Sequence, residues 1–282
     1  MKRLESIAWA GAILWLVVWN TSAAALLSPP SGLAWREFTI EGVRREALVY
    51  APARARTNPA PVVFVFHGHG GNARQAARSF ALHQHWAEAI VVYPQGLNTP
   101  GRLTDPDGRR PGWQSAAGDQ GDRDLKFFDI ILAWLQREYR VEPGRICVTG
   151  HSNGGAFCYL LWAERGDVLA ALAPSAASAS PAMVARWKPK PVLHLAGRND
   201  PLVKFVWQQW TMAAVRRVNG CDQAGRSWGE RATLYPSTTG AVMAAFIHEG
   251  GHAFPSDGGA TIARFFVEHA RALGTSKPAR KD

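Results

Sequence analysis

The sequence predicts an α/β chain with a mostly parallel central sheet and helices on both faces. Three observations carry that prediction. Short runs of β-branched and aromatic residues alternate with helical patterns along most of the chain. One run, Val62-Val63-Phe64-Val65-Phe66, is apolar at every position, as a strand covered on both faces has to be. No repeat or linker divides the 282 residues, and a chain of that size buries roughly three quarters of its unfolded surface as one domain.

The elements follow in chain order. Lys2 and Arg3 precede an apolar run of 13 residues, Ile7 to Trp19, and then the small residues Thr21 to Ala25. That pattern is a cleaved secretory signal over residues 1–25, since a membrane span needs about 20 apolar residues. The protein is therefore expected outside the cytoplasm, extracellular or periplasmic, with no stable membrane insertion after cleavage. Glu37 to Ile40 and Ala47 to Tyr50 flank Gly42 as an antiparallel hairpin. Strands are expected at 62–66, 90–93, 145–149, 168–173, 192–195 and 241–248. Helices are expected at 76–87, 127–139, 154–163, 203–218 and 261–272. Asn98 to Arg123 lacks periodicity, and a structureless connection of that length inside a domain is functional or mobile. Residues 275–282 are read as a flexible basic tail.

Composition narrows the classes further. Three cysteines allow one disulfide at most, and without CxxC spacing they exclude a zinc ribbon or a disulfide-built scaffold. Thirty-two Lys and Arg against 22 Asp and Glu give +10, which suits an anionic envelope or an acidic polysaccharide. No basic run forms a binding stripe, so nucleic acid is not expected as a partner.

Chemistry concentrates at Gly150-His151-Ser152-Asn153-Gly154, a G-x-S-x-G placed between a strand and a helix, as in a nucleophile elbow. The turn strains the serine backbone, and a Cβ at either glycine would strike a neighbouring strand or helix. Ser152 is the expected nucleophile. A serine hydroxyl needs a base within about 3 Å, itself oriented by an acid. In this architecture the order is Ser, acid, His, each beyond the carboxyl end of a strand. Asp200 and His252 meet that order, in Leu195-Ala196-Gly197-Arg198-Asn199-Asp200 and in Gly250-Gly251-His252. Asp167 falls before its strand, at the wrong end of the sheet. His248 competes with His252, whereas His194 lies mid-strand as a satisfied core residue and His83, His85 and His269 fall on helices.

An oxyanion hole needs two preorganised N–H donors. Asn153, following the nucleophile, supplies one and keeps its side chain free. His69, in His67-Gly68-His69-Gly70-Gly71, supplies the other. No third ligand accompanies His67 and His69, so neither a metal nor any cofactor is expected. Trp113 is the one large aromatic on the long loop and the expected substrate contact. Trp207 and Trp210, at i and i+3, are expected to pack inward.

The stretches VFVFHGHGGN, VVYPQG, GWQS, RICVTGHSNGG, HLAGRNDPLV, VNGCDQ and GGHAFP, in that order, resemble the secreted esterases grouped as poly(3-hydroxybutyrate) depolymerases and feruloyl or acetylxylan esterases. The resemblance spans about residues 45 to 270 and implies an α/β-hydrolase fold over residues 30–274. It also implies carboxylic-ester hydrolysis through an acyl-enzyme, with Ser152, Asp200 and His252 as the triad. Three departures stand out. His69 occupies a place where the family often has cysteine, Arg123-Asp124 replaces an acidic pair, and Ala253 replaces an aromatic. Only residues 174–191 separate two central strands, too few for a large cap domain, and an open groove suits bulky or polymeric esters. The alternatives are a serine peptidase of the same fold, or a non-catalytic carbohydrate- or envelope-binding protein on a hydrolase scaffold.

Overall fold

The computed structural model describes residues 32–270; the expected signal and basic tail lie outside them. Twelve strands run β1 (Leu33–Ile40), β2 (Val43–Tyr50), β3 (Ala60–Phe66), β4 (Ile90–Pro94), β5 (Leu97–Asn98), β6 (Pro111–Gly112), β7 (Val141–His151), β8 (Ala171–Ser175), β9 (Val192–Gly197), β10 (Arg226–Ser227), β11 (Ala232–Tyr235) and β12 (Met243–His248). Ten form one sheet, ordered β1-β2-β4-β3-β7-β8-β9-β12-β11-β10, while β5 and β6 form a small separate ribbon. The six strands from β4 to β12 are parallel, and antiparallel pairs close both edges.

Seven helices accompany the strands: α1 (Ala73–Phe80), α2 (Leu82–His85), α3 (Arg123–Glu138), α4 (Asn153–Arg165), α5 (Pro181–Val184), α6 (Phe205–Asn219) and α7 (Gly258–His269). The alternation of side chains along β3 sorts them into two layers. Val62, Phe64 and Phe66 pack with α3, α4 and α6, and Val63 and Val65 pack with α1 and α7. This is the α/β-hydrolase arrangement, and between β8 and β9 the four-residue α5 is the one helix, so no large cap stands there.

The differences from the sequence reading are local. The helix expected at 76–87 is two helices, because Ala81 turns to φ 46° and ends α1. The strand expected from Val168 begins at Ala171, after a 3-10 turn at Gly166–Val168. Edge strands β10 and β11 are too short to leave a pattern in the sequence. The segment expected to be functional or mobile is pinned. Arg123 donates to the Asn98 carbonyl at 2.7 Å and to Thr99 Oγ1 at 2.6 Å, and Thr99 Oγ1 in turn donates to the Leu97 carbonyl at 2.7 Å. All three cysteines are free thiols.

Candidate active site

The elbow forms where β7 ends against α4. Ser152 adopts φ 56° and ψ −119°, a conformation that side chains rarely take and that persists only when its surroundings impose it. Two glycines make the turn possible. A Cβ on Gly154 would lie 2.3 Å from the Phe66 carbonyl oxygen, and one on Gly150 would lie 2.6 Å from Gly154 itself. The Ser152 amide donates to the Ser175 carbonyl at 2.8 Å, tying the elbow to β8.

The loops after β7, β9 and β12 bring Ser152, Asp200 and His252 together. His252 Nε2 accepts from Ser152 Oγ at 2.8 Å, and His252 Nδ1 donates to Asp200 Oδ2 at 2.8 Å. Asp200 is buried, and its Oδ1 accepts from the Leu202 and Val203 amides, each at 2.9 Å. His248 is turned aside, with Nδ1 accepting from the Gly250 amide at 3.2 Å. Asp167 is exposed and ion-paired with Lys188 at 3.0 Å. His151, beside the serine, is a neighbour the sequence reading passed over. Its ring centroid is 5.0 Å from that of His252, its Nδ1 meets Ser175 Oγ at 3.2 Å, and burial pushes its pKa down to about 4.

The amides of His69 and Asn153 have no hydrogen-bond partner among the described residues. Asn153 opens α4, where amides lack intrahelical acceptors. Its side chain is not free, as the sequence reading had it. Nδ2 donates to the Trp113 carbonyl at 3.0 Å and Oδ1 accepts from the Trp113 amide at 2.7 Å. Trp113 needs correction too. Its exposure is 0 %, so it offers no face to a ligand. The indole stacks on Phe157, meets Phe66 edge-on and donates from Nε1 to the His67 carbonyl at 2.8 Å, because closing the loop over α4 sends the ring into the core.

Both histidines flanking Gly68 are engaged within the protein. His67 Nδ1 donates to the Gly68 carbonyl at 2.8 Å and Nε2 accepts from the Gly96 amide at 3.0 Å. Burial pushes its pKa down to about 4, which agrees with that neutral tautomer. His69 Nε2 donates to Asp105 Oδ2 at 3.0 Å, and this bond is the chief cause that holds the Asp105 carboxyl below the usual range. A second tie runs through Gln114. Its amide donates to Asp124 Oδ2 at 2.9 Å, and Asp124 Oδ1 accepts from buried Arg45 at 2.8 Å. The long loop thus braces the segment around His67 and His69, where the oxyanion hole is expected. Sequence reasoning did not link Arg45, Gln114 and Asp124 to one another, although GWQS marks the spot and Asp124 stands among the departures from the family pattern.

Trp207 and Trp210 also differ from expectation. They are 41 % and 44 % exposed, because α6 turns Gln208, Thr211, Met212 and Val215 to the core instead.

A strained serine on a strand–turn–helix, with a histidine and a buried carboxylate from later strands, defines the α/β-hydrolase class. The chain belongs to the dienelactone hydrolase family, which matches residues 46–219, more than half of its length. It is 25% identical over 200 residues to the bifunctional acetylxylan esterase/xylanase XynS20E of Neocallimastix patriciarum, covering 70% of this chain and 27% of that one. It is 26% identical over 181 residues to "Probable feruloyl esterase C" of Aspergillus clavatus, covering 64% of this chain and 63% of that one. The chain thus spans less than two thirds of the length of either relative. An acetyl xylan esterase from Aspergillus awamori shares the fold, with TM-score 0.59 at 15% identity over 83% of this chain and 99% of that one.

Proposed function

We propose that the protein is an exported serine esterase that works through an acyl-enzyme at Ser152. One observation carries the reading: the unbroken line from Ser152 Oγ through His252 to Asp200 Oδ2, with both links at 2.8 Å. His252 is arranged as a neutral imidazole with its proton on Nδ1, toward Asp200. Ser152 attacks the ester carbonyl carbon as its proton passes to Nε2. The carbonyl oxygen becomes an oxyanion and takes hydrogen bonds from the His69 and Asn153 amides, each such donor being worth about 10²–10³ in rate. Collapse breaks the ester bond, and Nε2–H protonates the leaving alcohol. Water then gives a proton to Nε2 and attacks the acyl-serine, and the carboxylic acid departs as Ser152 regains its hydrogen.

For substrate, the reading is feruloyl or acetyl esters of plant polysaccharide, or polyesters of the poly(3-hydroxybutyrate) type. The relatives named acetylxylan and feruloyl esterase support the first pair. The short segment between β8 and β9, and the exposed Trp207 and Trp210 on the helix that follows Asp200, support a bulky, water-exposed ester. The test is a side-by-side measurement of acid release from methyl ferulate, acetylated xylan and amorphous polyhydroxybutyrate by purified enzyme. Turnover of at least one, abolished in Ser152→Ala, is the expected result; inactivity on all three, with short p-nitrophenyl esters still cleaved, removes the substrate reading.

A further inference from the structure

Behind Asp200 lies a run of buried polar side chains that the triad does not use. Tyr159 on α4, His194 on β9 and Gln208 on α6 are each fully buried. Tyr159 Oη lies 2.6 Å from His194 Nδ1, His194 Nε2 lies 3.1 Å from Gln208 Oε1, and Gln208 Nε2 lies 3.2 Å from Asp200 Oδ2. Gln208 Nε2 also donates to the Val203 carbonyl at 2.7 Å.

The direction of every bond in this line follows from its end. A carbonyl and a carboxylate oxygen only accept, so both Gln208 amide hydrogens are spent on Val203 and Asp200. Gln208 Oε1 then has to accept, and His194 Nε2 carries the hydrogen that it accepts. In a neutral ring, Nδ1 is left as a lone pair, and the Tyr159 hydroxyl donates to it. Burial pushes the His194 pKa down to about 4, in keeping with the neutral ring.

We infer that Tyr159, His194 and Gln208 are positioning residues that hold the Asp200 carboxylate, and through it the Nδ1–H tautomer and ring plane of His252. The inference rests on the serine-triad reading above. Asp200 accepts four hydrogen bonds, from the Leu202 and Val203 amides, from His252 and from Gln208. The Gln208 bond is the one that comes from outside its own loop and the triad. Because all the donors point one way, the carboxylate cannot rotate without leaving an amide hydrogen unpaired in the core, where such a group is costly. Three apolar side chains would fill the same space without that desolvation, so what the polar line supplies is orientation.

The test uses Gln208→Met, Gln208→Glu and Tyr159→Phe in the full-length enzyme, with Ser152→Ala as control, assayed on a short p-nitrophenyl ester. Gln208→Met removes both donors at similar volume. It is expected to lower kcat about 10- to 100-fold, as small misplacements of a catalytic group do, with KM within about twofold. Tyr159→Phe, remote from Asp200, should lower kcat severalfold by releasing the His194 tautomer. In Gln208→Glu a protonated carboxyl restores one acceptor and one donor, and two adjoining carboxyls share a proton. Its kcat/KM relative to the parent should therefore be highest at the acid end of the pH profile and fall as pH rises. A purely structural role would lower Tm and leave that ratio flat. The inference is overturned if folded Gln208→Glu and Tyr159→Phe show parental kcat and a flat ratio while Ser152→Ala is inactive. Activity retained in Ser152→Ala would instead overturn the triad reading itself. Should Gln208→Met not fold, the other two variants decide.

Discussion

Asn153 holds the Trp113 peptide from both sides, donating to its carbonyl at 3.0 Å and accepting from its amide at 2.7 Å. One side chain thus ties the first turn of α4 to the long loop. Asn153→Leu removes both side-chain bonds and leaves two backbone groups of a buried residue unpaired, at about 1–3 kcal/mol each. A fall in Tm together with a drop in kcat is expected, measured by calorimetry and by turnover of p-nitrophenyl acetate. A drop in kcat with Tm unchanged would mean that the clamp does not support the loop.

The brace beneath that loop is the buried Arg45–Asp124 pair at 2.8 Å, with the Arg45 guanidinium 4.1 Å over the Phe127 ring. Removing one partner of a buried pair leaves the other charge unsatisfied and costs about 3–5 kcal/mol. Asp124→Ala is expected to lose stability on that scale in urea unfolding. Joint replacement of Arg45 and Asp124 by apolar residues should cost less than the two single changes added together.

Acid sensitivity of the fold follows from three histidines, His67 and His194 in the core and the partly buried His151. Burial pushes His67, His151 and His194 each down to about 4, against 6.5 for an unburied imidazole. Below pH 6.5 the unfolded chain binds protons that the folded chain refuses. Stability is therefore full above that pH and falls as pH drops from about 6.5 toward 4, by on the order of 3 kcal/mol for each of the two core histidines and by less for His151. Urea midpoints measured across this window should fall steadily, and His194→Gln, which removes one of the three groups, should flatten the slope between those limits.

Two aspartates separate by role. Asp200→Asn keeps the shape but presents an amide to His252 Nδ1, which disfavours the needed tautomer and should cut kcat by orders of magnitude. Asp167→Asn removes a solvent-exposed ion pair with Lys188, which water and salt screen, and should leave turnover near the parent's. Steady-state kinetics on one ester decides both.

What the sequence made legible was local. The all-apolar β3 and the glycines around Ser152 depend on neighbours a few residues away, so periodicity and spacing revealed them. His194 was readable as a satisfied core histidine from its mid-strand place, but its partners on α4 and α6 were not. Trp113 was misread because Phe66 and Phe157, distant in the chain, set its burial. α6 carries two possible stripes, and hydrophobicity alone favours the one with Trp207 and Trp210. The buried stripe includes Gln208 and Thr211, which satisfy Asp200 and the Ala179 amide. Ala81 breaks a helix at φ 46° without glycine or proline to announce it.

The most direct measurement is mass-spectrometric mapping of the enzyme after treatment with a serine-directed fluorophosphonate, alongside esterase activity. A single adduct on Ser152, loss of activity in step with labelling, and neither adduct nor turnover in Ser152→Ala are expected. An adduct on another serine, or esterase activity that persists in Ser152→Ala, would contradict the acyl-enzyme reading at Ser152.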